Sequence, residues 1–269
     1  MLADSGRQSE IDKKITADAK ECSMSNRLFV RLVAKERKFT KIDFKYSIFD
    51  GCYLRNCKFE SCDFTGCRFI NTNLHGSRFS GSNFQYASFE KTVIDVSILD
   101  TECPGPENLK ARFARSLRTN YQQLGDAAGA NKAMKVELEA SEAHLHKAWA
   151  SKEAYYRHKY KGWERVKAFL EWVEFKILDC VWGNGERPVR LFFSVFTVIV
   201  LMAVFDVFQF GDPSHVGSYW HALESAPEIF LGILSPPNYP KWYLTLITFV
   251  RLVAMGFFLS IIIKRFNRR

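Results

Sequence analysis

Four cysteines, Cys52, Cys57, Cys62 and Cys67, recur at an unbroken five-residue step, and four thiols are a donor set from which structural zinc sites are built. The C-x4-C-x4-C-x4-C spacing is not that of such a site, and none of the seven cysteines stands in a C-x2-C pair. They read as small buried hydrophobes. His144 and His146 are two residues apart, so on a helix they face apart and do not share a metal. No Ser-His-Asp set or nucleotide loop stands out, so the chain is not read as an enzyme, and no catalytic residue, metal or cofactor is expected.

The remaining chemistry-bearing residues lie in apolar surroundings near the C-terminus. Asp206 and Arg251 interrupt the two most hydrophobic stretches, 189–210 and 242–263, and Glu224, Glu228, Gly232, Ser235 and Asn238 lie in the loop between them. An ionised side chain at mid-bilayer costs about 2.5–3.5 kcal/mol, so it faces either a partner or water. Asp206 is four residues before Phe210, and Arg251 is nine after Trp242. That difference of five residues is about 7.5 Å of helix rise, within the reach of an arginine. The spacing predicts an Asp206–Arg251 pair; the alternative is an Arg251 that lines a pore and favours anions.

These residues need elements to position them, and composition bounds what those elements are. The chain has 269 residues, 38 basic against 29 acidic, with 47% hydrophobic residues and 24 Phe, which excludes disorder or a collagen-like repeat over the whole length. Seven cysteines are too few for a disulfide-stapled miniprotein, and with no apolar leader at the start they are expected to be reduced in the cytosol. A mean hydropathy of −0.15 conceals the crowding of apolar residues into the last third. Each of the two stretches has 22 residues. That is about 33 Å of helix, against a hydrocarbon core of ~30 Å.

The first third has a different period. Phe39, Phe44, Phe49, Leu54, Phe59, Phe64, Phe69, Leu74, Phe79, Phe84, Phe89, Ile94 and Leu99 recur every fifth residue, and two positions before them stand small residues such as Ser47, Cys52, Thr72 and Ala87. A step of five scatters side chains round a helix and alternates them across a strand. A chain that bends once per five residues instead puts every large group inside. The pattern over residues 39–99 resembles the pentapeptide-repeat family. The resemblance implies a right-handed quadrilateral β-helix with four pentapeptides per coil, a little over three coils in all and ~15 Å tall. Some members mimic DNA and bind type II topoisomerases, which needs an acidic rod. Between residues 39 and 103 this rod has seven basic and eight acidic residues, so neither that role nor nucleic-acid binding is expected.

After the turn cluster Cys-Pro-Gly-Pro at 103–106, apolar residues at helical spacing predict a helix from about Glu107 to Leu124. A break at 125–129 and a second helix from about Asn131 into the 150s follow, the two packing as a hairpin over the open end of the β-helix. Lys159, Lys161, Trp163, Arg165 and Lys167 then lead an amphipathic stripe into the first hydrophobic stretch, as in a helix lying at the headgroups of an anionic membrane. The expected domains are an N-terminal cap or helical segment (1–38), the β-helix (39–103), a helical hairpin (104–160), an amphipathic juxtamembrane collar (161–188) and a two-span α-helical membrane domain with a re-entrant loop (189–269).

A span, a re-entrant loop and a second span resemble the plan of two-transmembrane potassium channels, and residues 182–188 (Trp-Gly-Asn-Gly-Glu-Arg-Pro) and the basic tail 264–269 carry part of that likeness. The filter position departs from it. Residues 231–238 read Leu-Gly-Ile-Leu-Ser-Pro-Pro-Asn instead of Thr-Val-Gly-Tyr-Gly, so potassium selectivity is not implied. The pore helix has two placements, near Ser218–Ala226 by resemblance or starting at Ala226 from a Ser225–Glu228 capping box. Basic residues flank the pair of spans on one side, which predicts a multi-pass protein of the bacterial inner membrane with both termini cytoplasmic. The expected function is an ion-channel-like pore, oligomeric because two spans cannot enclose a conduit, with tetramers implied by the resemblance. Its partners are lipid, ions, further copies and an unidentified protein or ligand of the β-helix. The competing reading is a non-conducting scaffold that the spans merely anchor.

Overall fold

Each pentapeptide of the first third turns the chain by one corner, and the corner is a residue at positive φ. Lys41, Tyr46, Gly51, Asn56, Ser61, Gly66, Asn71, Gly76, Gly81, Tyr86 and Lys91 all lie between +47° and +71°. A side chain in that region costs about 1–2 kcal/mol, so the bends persist because the core and ladder over-determine them. Gly66 has a second reason: a β-carbon there would collide with the ring of Tyr46 on the preceding rung.

The computed structural model describes residues 7–183 and 188–266. Two compact units result, Met1–Ala168 and Phe169–Arg269. In the first, strands β1 (Gln8–Ile11), β3 (Arg27–Val30), β5 (Ile48–Asp50), β7 (Arg68–Ile70) and β9 (Ser88–Glu90) stack as one parallel sheet, and β2 (Ala19–Lys20), β4 (Lys38–Thr40), β6 (Lys58–Glu60) and β8 (Arg78–Ser80) as another. Single parallel bridges, Val33 to Tyr53 to Asn73 to Val93 and Asp43 to Asp63 to Asn83, tie the two remaining faces. The result is a four-sided parallel β-solenoid. Four steps separate β1 from β9, about 19 Å at ~4.8 Å per step.

The predicted apolar column fills the centre. Phe49 stacks on Phe69 at 5.0 Å between ring centroids, Phe39 on Phe59 at 5.0 Å and Phe44 on Phe64 at 5.1 Å. The small residues two places earlier are buried as well, and the polar ones among them find carbonyl partners. The thiols of Cys52, Cys57, Cys62 and Cys67 donate to the carbonyls of Phe29, Ala34, Phe39 and Phe44, and Thr72 Oγ1 donates to that of Phe49 at 3.1 Å. Each thiol therefore serves its own carbonyl, and burial pushes Cys52 up to about 11 and Cys67 up to about 12.

The expected cap or helical segment over 1–38 is corrected: residues 8–30 carry three solenoid strands, so the stack has about four turns and not a little over three. Phe29 is fully buried and pairs with Phe49, while Ala19 pairs with Phe39, so the inward sites continue upstream with smaller or polar residues. The first step is also one residue short, Gln8 pairing with Arg27, which breaks the period of twenty. Residues 1–6, read as lacking a leader, lie outside the described residues.

At its other end the solenoid is closed by side chains that imitate a further rung. Helix α1 (Ile98–Thr101) presents Glu102, whose carboxylate accepts the N–H groups of Gly81 and Ser82. On α2 (Glu107–Gln123), Ser116 Oγ accepts the Phe89 N–H and Gln123 Oε1 that of Lys91. Asn120 accepts from the Thr92 N–H at 2.7 Å and donates to the Thr92 carbonyl at 2.8 Å. Phe113 of α2 ends the aromatic column 5.8 Å from both Phe84 and Phe89.

Helix α3 (Ala127–Ala150) returns along α2, with Glu137 accepting from Arg115 and Arg118 at 2.8 Å each. It begins earlier than the expected Asn131 because Asp126 is its N-cap: the carboxylate accepts the Gly129 N–H, so that glycine lies in the first turn and not in a break. Helices α4 (Ala154–Lys159) and α5 (Trp163–Trp182) follow, and α6 (Pro188–Phe210), α7 (Val216–Leu231) and α8 (Lys241–Phe266) make up the rest.

Candidate functional site

Helices α6 and α8 form an antiparallel pair. Phe205 meets Tyr243 at 4.5 Å and Phe210 stacks on Tyr239 at 5.0 Å at one end, while Phe192 meets Phe258 at 6.1 Å toward the other. The stretches Pro188–Phe210 and Lys241–Ile263 have mean hydropathies of 2.5 and 2.4, and only 22% and 11% of them is buried in the chain, so both are long and apolar enough to cross a membrane.

Between them α7 runs back along α6. Small residues make the approach close: Ala222 and Ala226 pack on Ala203 and Val207. Further along, Ile229 and Phe230 join Met202 and Ile247 in a second apolar cluster. Helix α7 ends at Gly232, whose φ of +79° is the left-handed cap that favours glycine, with its N–H on the carbonyls of Glu228 and Ile229. The placement near Ser218–Ala226 falls within this helix, which runs further at both ends, and the start at Ala226 is corrected. It is one helix through Pro227, and the capping box does not form because Ser225 Oγ donates back to the His221 carbonyl at 3.1 Å.

A groove of about 650 Å³ lies where α7 leaves α6, lined by Asp206, Ser218, His221, Glu224, Ser225 and Glu228. It brings together three of the acidic residues singled out in the sequence, and its chemistry suits loosely held cations. No group of His, Cys, Asp and Glu among the described residues is close enough to hold a metal ion. Gly232 is the cap of α7, and Ser235 and Asn238 lie exposed in the returning loop; none of the three lines the groove.

The expected Asp206–Arg251 pair is corrected. Asp206 accepts a hydrogen bond from the Tyr239 hydroxyl, and Arg251 lies against Gly232 instead, where a β-carbon would collide with Nη1 and stand 3.1 Å from Cζ. Tyr239 is the residue that sequence reasoning missed. It stands 33 residues from Asp206, with no spacing to signal it.

In the first unit the collar residues take varied positions. Lys159 Nζ sits 5.6 Å from the Tyr155 ring centroid and 5.4 Å from that of Tyr160, and Arg165 Nε donates to the Trp149 carbonyl at 2.7 Å. Lys161 and Lys167 are exposed, and Trp163 is 74% exposed at the start of α5. Val166 is exposed on the same helix, and Leu170 and Ile177, which belong to the second unit, are exposed as well. His144 on α3 joins α4, its Nδ1 3.2 Å from the Tyr156 hydroxyl and its Nε2 3.2 Å from that of Tyr160. Burial and the nearby Lys159 hold this imidazole below its usual range. Of the residues that carry the channel likeness, 184–187 and 267–269 lie outside the described residues.

Comparison with known proteins bears on the solenoid. Segments 38–76, 47–85 and 62–94 match the family of pentapeptide repeats, in eight copies. Over these residues the solenoid is similar to pentapeptide repeats. No curated protein matches the chain. Among solved structures, a pentapeptide repeat protein from the thylakoid lumen of Arabidopsis thaliana, determined at 1.7 Å, is 15% identical, with 35% of this chain and 76% of that chain covered and a TM-score of 0.16. The pentapeptide-repeat module accounts for residues 38–94 at family level. The helices α6 to α8 rest on their own geometry.

Proposed function

We propose that the chain is one subunit of an oligomeric ion-conducting membrane pore whose solenoid is a cytosolic sensing or assembly module. The observation that carries the reading is α7: a helix bearing His221, Glu224 and Glu228 returns between two apolar helices and leaves a polar groove with Asp206. Carboxylates at that depth are costly against lipid and are accommodated by a water-filled passage. Two spans do not enclose such a passage, so further copies supply its other walls. The largely uncovered surfaces of α6 and α8 are available to lipid and to those copies. On this reading α5 lies along the cytoplasmic headgroups, with Trp163, Val166, Leu170 and Ile177 inward and Lys161 and Lys167 toward anionic lipid. Both termini are then cytoplasmic, and in a bacterium the membrane is the inner one.

The test is single-channel recording from the purified full-length chain in planar bilayers under a KCl gradient, with the oligomer verified beforehand. Discrete currents altered by Glu228→Ala support the pore. Silence from verified oligomers removes it and leaves a solenoid that α6 and α8 anchor.

A further inference from the structure

The second helical unit holds a cation of its own at the place where its short helix ends. Arg251 is the eleventh residue of α8, ten residues from Lys241. At 1.5 Å per residue that is about 15 Å along the helix, half of a ~30 Å hydrocarbon core. Its guanidinium lies on Gly232, the left-handed cap of α7. The C-terminus of α7 is therefore at the same half-depth.

A helix C-terminus carries the equivalent of about half a negative charge, on carbonyls that lack an intrahelical donor. Here the N–H groups of Gly232, Ile233 and Leu234 all converge on the Glu228 carbonyl, and Gly232 N–H also reaches Ile229, so the later carbonyls of the helix are left for another donor or for an ion. Among the described residues no carboxylate neutralises Arg251. Asp206, the one acid of the spans, is held by Tyr239, and the other acids of the groove, Glu224 and Glu228, are on α7. Glycine at 232 leaves the guanidinium room to sit there, since any β-carbon would displace it.

We infer that Arg251 is a tethered cation: it occupies the mid-membrane position on which the α7 dipole is directed and thereby denies that position to mobile cations. The inference rests on the pore reading and deepens it. Cations gathered by the acidic groove are held back at Arg251, which lowers the permeability of the parent pore to potassium relative to chloride. Removing the charge frees the C-terminal end of α7 to stabilise a potassium ion.

The experiment is the reversal potential of full-length protein in planar bilayers under a tenfold KCl gradient, for the parent, Arg251→Lys, Arg251→Gln and Arg251→Met. The methionine variant removes a charge that is unfavourable at mid-bilayer, so its insertion and assembly are expected to survive, with size-exclusion chromatography as the check. The expected result is a reversal potential nearer the potassium equilibrium value for the glutamine and methionine variants than for the parent and the lysine variant. The ratio of potassium to chloride permeability rises at least tenfold on loss of the charge. The same ratio in all four proteins would overturn the inference while leaving the pore intact. Silence from all four as verified oligomers would remove the pore reading and the inference with it.

Discussion

Asn120 lends itself to a quantitative test, because one side chain stands in for a whole missing rung. It is fully buried, as is Thr92, and it satisfies both the N–H and the carbonyl of that residue at 2.7 and 2.8 Å. Replacing it with leucine keeps the volume and removes both partners. Each orphaned backbone group costs roughly 1–3 kcal/mol, so the pair together costs about 3 kcal/mol once the site relaxes. That corresponds to about a hundredfold in a local opening equilibrium, since 1.4 kcal/mol is tenfold. The assay is native-state amide hydrogen exchange on the full chain. Protection is expected to fall by about that factor at Thr92 and less at Phe89 and Lys91, which keep Ser116 and Gln123. Earlier rungs contact only their neighbours and are expected to be unaffected. Asn120→Asp, which retains the acceptor but loses the donor and buries a charge, is expected to do no better than leucine. Unchanged exchange at Thr92 in the leucine variant would refute the claim that side-chain hydrogen bonds close the solenoid.

Phe64→Ala removes a fully buried ring from the middle of its column, between Phe44 at 5.1 Å and Phe84 at 4.9 Å; a loss of about 3–5 kcal/mol is expected in denaturant unfolding of the solenoid. His144 is held below its usual 6.5 by burial and by Lys159, so the unfolded chain binds the proton first. The packing of α4 on α3 is therefore expected to be fully stable above pH 6.5 and to weaken as pH falls from 6.5 toward the depressed folded value, a loss that His144→Gln abolishes in exchange measurements at the Tyr156 and Tyr160 amides. Maleimide is expected to modify exposed Cys180 in the native protein but Cys52, Cys57, Cys62 and Cys67 only after unfolding, because burial raises their pKa values and the thiolate is the reactive form; mass spectrometry of timed aliquots reads this directly.

The solenoid from Phe39 onward was legible because its signal is local: each pentapeptide makes its own bend and contributes its own inward ring, so the period of five is written directly in the residue order. The two apolar stretches were legible for a similar reason, since length and hydropathy alone decide what is long and apolar enough to cross a bilayer. Upstream of Phe39 the same fold continues with Ala34, Met24 and Ala19 and a step one residue short, and there only pairing with the next rung identifies the strands. The closing of the last rung by Asn120, 28 residues after Thr92, is likewise invisible in spacing. The membrane charges make the limit clearest. Axial arithmetic put Asp206 and Arg251 at compatible depths, but depth fixes one coordinate of three. Rotation about α6 and α8, set by how Ala203, Val207 and Met202 pack on α7, turned Asp206 to Tyr239 and Arg251 to Gly232. Sequence determined the repeated rungs from Phe39 onward and the two apolar stretches; tertiary packing decided which polar groups meet, because a side chain's partner depends on the angle at which helices dock.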